Sequence, residues 1–87
     1  MIIKFHKRFE KKIKKLPKKI KSQVKKKIAQ FIKNPSDPSL KNHSLTGKMS
    51  DLRAFYVSGN TRIVFQEFDD YVLVIFLAFG GHDQVYK

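Results

Sequence analysis

Leu52-Arg53-Ala54-Phe55-Tyr56-Val57-Ser58-Gly59-Asn60-Thr61-Arg62-Ile63-Val64-Phe65-Gln66-Glu67 is the stretch that decides the fold. Leu52, Ala54 and Tyr56 alternate with Arg53, Phe55 and Val57, a period of two. Ser58-Gly59-Asn60 carries turn residues, and a second run begins at Arg62, with Arg62, Val64 and Gln66 on one face. The pattern predicts a β-hairpin. Asp69-Asp70 turns the chain again, and Tyr71 to Phe79 is apolar throughout, which predicts an inner strand covered on each side and ended by Gly80-Gly81.

Upstream the period changes. Phe9, Ile13 and Leu16 mark one helical stripe; Ile20, Val24, Ile28, Phe31 and Ile32 mark a second. Pro17 divides them and suits the first position of the second helix, which stops at Asn34-Pro35. Ile2, Ile3 and Phe5 predict a short opening strand, and residues 34–51 a loop region in which Leu40 and Leu45 anchor to the core. The expected order is β-α-α-β-β-β. Helices and strands in separate runs predict one α+β domain over residues 1–87, with a helical pair on a mainly antiparallel sheet.

The net charge is +12 and it is unevenly placed. Residues 1–33 hold 14 Lys/Arg against one acid, Glu10; the remainder holds 5 Lys/Arg and 6 acids. Such a field attracts nucleic acid, anionic lipid or an acidic protein. Lys11, Lys14, Lys18, Lys21 and Lys25 are candidates for binding nucleic acid. There is no cysteine, which excludes disulfides and thiolate metal sites. The opening Met1-Ile2-Ile3-Lys4 does not resemble a signal peptide, and the longest apolar run is about half a membrane helix. A cytoplasmic location is expected.

The spacing of His6, His43 and His82 offers no metal site, and no phosphate loop or serine triad is visible. The remaining candidates are Arg53, Arg62, His82 and Tyr86, then His43 and Tyr56. Arg53 and Arg62 flank one hairpin turn and are expected on the same sheet face.

Leu45-Thr46-Gly47, Leu52-Arg53, Gly59-Asn60-Thr61-Arg62-Ile63-Val64-Phe65-Gln66 and Phe79-Gly80-Gly81-His82-Asp83-Gln84-Val85-Tyr86 together resemble the RelE/ParE toxin superfamily. The ending is similar to its RelE-like and YafQ-like branches. The resemblance implies a toxin of a type II toxin–antitoxin system that cuts messenger RNA in the ribosomal A site without a cofactor and is silenced by an acidic antitoxin. It implies that Arg62 contacts the scissile phosphate, that Arg53 is a further basic site residue, and that His82 is the catalytic histidine. It also implies that Tyr86 positions the RNA and that His43 matches a second histidine. Tyr56 stands where YafQ-like enzymes have another histidine, and Asn60 where they have an aspartate. The chemistry suits these residue types: histidine can move either proton when a 2′-hydroxyl attacks its neighbouring phosphate, and arginine forks onto phosphate oxygens. Two other readings stay open, a ParE-like gyrase inhibitor without nuclease activity and a non-catalytic RNA-binding module.

Overall fold

The computed structural model describes residues 1–81. Its elements are β1 (Ile2–Phe5), α1 (Lys7–Lys14), α2 (Lys18–Lys33), β2 (His43–Ser44), β3 (Arg53–Ser58), β4 (Thr61–Phe68) and β5 (Leu73–Gly81), with single 3-10 turns at Pro38–Leu40 and Gly47–Met49. The strands form one five-stranded sheet in the order β1-β5-β4-β3-β2. Only the β1–β5 pair is parallel. The fold is thus the expected α+β arrangement with one added strand: the two residues of β2 pair Ala54 and Arg53 inside what the sequence predicts to be loop.

Local chemistry sets the helix limits. His6 caps α1, its Nδ1 accepting from the Arg8 amide at 3.1 Å. Pro17 is the cap of α2 and not its first turn, because its ψ of 150° is extended. Asn34, in extended conformation, closes α2 before Pro35. The inward stripe of α2 buries Val24 and Phe31, with Ile20 and Ile28 half-buried. Ile32, expected in that stripe, is 46 % exposed, since one further residue along the helix turns the side chain off the sheet.

Both helices lie on one face of the sheet. Phe9, Val24, Phe31 and Leu40 meet Phe55, Val57, Ile63, Phe65, Val74, Phe76 and Phe79 in a single cluster. Phe31 is its hub, stacked on Phe55 at 4.6 Å and edge-on to Phe65 at 5.0 Å and Phe76 at 5.8 Å. The β4–β5 register slips between Val64↔Ala78 and Phe65↔Phe76, so Leu77 is an extra residue. This bulge lets Phe76 and Phe79, three apart, both face the helices, which a regular strand forbids.

The expectation that β5 is covered on each side is corrected here. Among the described residues the second face carries only a small cluster, Leu45, Ala54 and Val64 with Leu52 and Ala78. The strand also starts later than expected, at Leu73, because Asp69, Asp70 and Tyr71 all take positive φ in the preceding turn. The described strand runs through Gly80 and Gly81, as expected at its end, and they pair with Arg62 and Thr61.

Candidate active site

The face without helices is where side chains of functional type gather. The cross-strand row His43↔Ala54↔Val64↔Ala78 lies beside the row Tyr56↔Arg62↔Gly80. Paired residues project to the same side, so His43, Tyr56 and Arg62 share this face, with Gln66 one step further along β4. Ala54, Val64, Ala78 and Gly80 form the floor between them. Ala54, Val64 and Gly80 are themselves buried, Ala54 and Val64 in one cluster with Leu45 and Leu52, so the side chains this face offers to a ligand are the exposed His43 and the half-buried Tyr56, Arg62 and Gln66.

His43 is exposed, and its Nδ1 lies 2.8 Å from the Lys41 carbonyl oxygen. If Nδ1 donates there, Nε2 is the nitrogen left to take a proton. Arg62 is half-buried, donates to the Thr61 carbonyl at 3.1 Å, and stands 5.2 Å from the Tyr56 ring centre. The Nζ atoms of Lys41 and Lys27 also approach this ring, at 5.4 and 5.7 Å. Three cations from three different elements therefore meet at one phenol.

Arg53 does not join this group. The register pairs it with Phe65, which faces the helices, so Arg53 and Arg62 lie on opposite faces and the expectation that they share one is overturned. Three residues separate Arg53 from Tyr56, the partner of Arg62, and an odd separation reverses the side. Arg53 instead lines a polar cleft of about 220 Å³ with Ser36, Asp37, Pro38, Lys41, Asn42 and Tyr71. Its Nε donates to Asn42 Oδ1 at 2.9 Å, and Asn42 Nδ2 donates to the Tyr71 hydroxyl at 3.0 Å. At the rim, Asp37 is held below the ordinary carboxylate range, first by the hydrogen bond from Gln30 and then by those from Ser39.

His82 and Tyr86 lie outside the described residues. The chain reaches that limit at Gly81, which pairs with Thr61, the neighbour of Arg62. Lys11, Lys14, Lys18 and Lys25 are exposed on the helices, and Lys21 is half-buried. Among the described residues no three or more His, Cys, Asp or Glu side chains group as metal ligands. No described helix is long and apolar enough to cross a membrane. Sequence reasoning missed Lys27 and Lys41. No sequence signal marks them; the structure does, since Lys27 follows Gln23 by one helical turn and Gln23 meets Ser58 at the end of β3.

Comparison with known proteins gives this arrangement a family. The model of the bacterial toxin of type II toxin–antitoxin systems, YafQ, matches residues 1–87. The chain belongs to the YafQ toxin family. It is a toxin of the type II class. A search of the curated proteins finds no match. Among solved structures the chain is similar to YafQ from E. coli strain BL21(DE3), with 21% identity, a TM-score of 0.79, and 98% of this chain and 97% of that chain covered. It is similar also to YafQ in the E. coli DinJ–YafQ toxin–antitoxin complex, with 21% identity, a TM-score of 0.77 and coverages of 98% and 96%. A chain of the intact E. coli RelBE toxin–antitoxin complex matches with 25% identity, a TM-score of 0.68 and coverages of 92% and 94%. The toxin fold of the YafQ family thus spans nearly the whole chain.

Proposed function

We propose that this toxin is an endoribonuclease that cuts messenger RNA in the ribosomal A site, with no metal ion in the step. The observation that carries the reading is the sheet face opposite the helices, where Arg62 stands in register with Tyr56 and His43 lies on the same side. In the reaction the 2′-oxygen bonds to the adjacent phosphorus as a base removes its proton. The bond from phosphorus to the 5′-oxygen breaks, and an acid protonates that oxygen. The products are a 2′,3′-cyclic phosphate and a 5′-hydroxyl.

Arg62 stabilises the crowded phosphate, since a guanidinium donates two parallel hydrogen bonds to its oxygens. His82 is the principal proton carrier, His43 the second, and Tyr86 positions the RNA; these roles rest on the family resemblance. Arg53 acts as a positioning residue. Its bond to Asn42 fixes the segment that carries His43. The exposed lysines Lys11, Lys14, Lys18, Lys21 and Lys25 dock the toxin on ribosomal RNA. The +12 charge suits an acidic antitoxin as the silencing partner, and ribosomes as substrate carriers place the toxin in the cytoplasm. Primer extension on messenger RNA after brief induction tests the reading. It predicts new 5′ ends within translated codons, absent when translation is blocked. Growth arrest without such ends would contradict it.

A further inference from the structure

Arg62 accounts for one phosphate, yet two more cations share its aromatic neighbour. Lys27 comes from α2, Lys41 from the residue that closes the 3-10 turn before β2, and both reach the Tyr56 ring beside Arg62. The fold explains why they can. Strand β2 pairs only with Ala54 and Arg53, so the outer edge of β3 is unpaired by β2 from Phe55 onward and Tyr56 lies along it. Helix α2 flanks the same edge: Gln23 meets Ser58 at 3.2 Å, and Lys27 is one turn further on the same side of the helix. Lys41 takes positive φ of 50°, a conformation that turns the chain there.

Three cations gathered around one ring repel one another; Asp37, which feels the charge of Lys27 and lines one cleft with Lys41, offsets a single charge, and a further anion such as a phosphate relieves the rest. We propose that Lys27 and Lys41 bind the RNA phosphate next to the one held by Arg62, with the Tyr56 ring as the spacer between the two phosphates. The proposal rests on the nuclease reading above and extends it. The RNA strand leaves the sheet face over the free edge of β3 and passes toward α2. Lys27 therefore belongs to the substrate path, unlike the lysines that supply general charge.

The probe is a short oligoribonucleotide with a 2′-O-methyl group at the cleavage position, so that it binds and is not cut. One linkage at a time is made neutral as a methylphosphonate. Binding is measured for the wild-type toxin and for the double variant Lys27→Gln, Lys41→Gln, which keeps side-chain length and removes charge from residues outside the core. For the wild type, neutralising the linkage next to the scissile one should weaken binding by about tenfold or more, the range for hydrogen bonds to charged groups. The double variant should bind the unmodified strand about that much more weakly and show no further loss at that linkage. Its salt slope should fall by about 0.7, the value for one phosphate of a single strand. Equal losses at every linkage, or the same linkage sensitivity in both proteins, would overturn the proposal. Normal sensitivity at the scissile linkage, lost only in Arg62→Ala, would leave the nuclease reading standing while this one fell. If wild-type toxin bound no oligoribonucleotide even at low salt, this proposal would fall, and the nuclease reading would be decided by the primer-extension result alone.

Discussion

The two faces of one sheet divide the work of this molecule. On the helix side every central position is aromatic or branched: Phe55, Ile63, Phe65, Val74 and Phe76 are fully buried under Phe9, Val24 and Phe31. On the other side the equivalent positions are Ala54, Val64, Ala78 and Gly80, with His43, Tyr56, Arg62 and Gln66 standing among them. The same backbone hydrogen bonds serve both. The difference lies in what stands on each face: large apolar rings packed under two helices on one side, a small cluster of Leu45, Ala54 and Val64 flanked by polar side chains on the other. Most of the packing among the described residues is on the helix side, and the candidate site residues His43, Tyr56 and Arg62 stand opposite.

Breaking the covered face should give the largest effect. Phe31→Ala removes the ring that stacks on Phe55 at 4.6 Å and should cost about 3–5 kcal/mol, the range for such core truncations. Against a total of roughly 5–15 kcal/mol, urea denaturation should show a midpoint far below that of the wild type. Arg62→Ala should do the reverse. Growth arrest should vanish while stability moves by roughly 0.5 kcal/mol or less, as for surface positions; full toxicity at equal expression would break the division between the faces.

Smaller effects sharpen it. Replacing Lys11, Lys14, Lys18, Lys21 and Lys25 by glutamine should weaken ribosome binding in graded fashion and lower its salt slope, with little change in stability. A ribosome affinity independent of salt would contradict their docking role. The smallest effect is a pH dependence. Asp37 is held below its ordinary value of 3.8, so in the folded state it releases its proton at lower pH than in the unfolded chain. Its contribution to stability is therefore present above pH 3.8 and is lost as pH falls through the folded value. Asp37→Asn should flatten the acid limb of a plot of stability against pH and leave the neutral region parallel to wild type. A steeper acid limb would contradict the assignment.

The hairpin, the helical pair and the element order were legible because each depends on local periodicity. Alternation around Ser58-Gly59-Asn60 marks β3 and β4, and the stripe from Ile20 to Phe31 marks α2. What escaped depends on register. Arg53 and Arg62 flank one turn, but only the pairing Arg53↔Phe65 and Tyr56↔Arg62 assigns them to opposite faces. Phe76 and Phe79 share a face through a bulge that no apolar count can show. Strand β2 is two residues long and bears polar side chains, so His43 looked like loop while standing in the row with Ala54 and Val64. Lys27 and Lys41 are indistinguishable from solvated charge until α2 and the β3 edge are seen together. Arg62 and His43 are candidates by residue type, their roles come from the resemblance, and their common face is a property of the sheet.

The central claim is that cleavage belongs to the sheet face opposite the helices, and the two arginines offer its most direct measurement. Single-turnover cleavage of messenger RNA on programmed ribosomes should be compared for wild type, Arg62→Ala and Arg53→Ala. Loss of a preorganised donor to a developing phosphate charge costs about 10²–10³ in rate, and that is the drop expected for Arg62→Ala. Arg53→Ala, on the opposite face and acting on the reaction only indirectly through Asn42, should lose about tenfold or less, by analogy with a single net hydrogen bond. Equal losses in the two variants, or a larger loss in Arg53→Ala, would contradict the account.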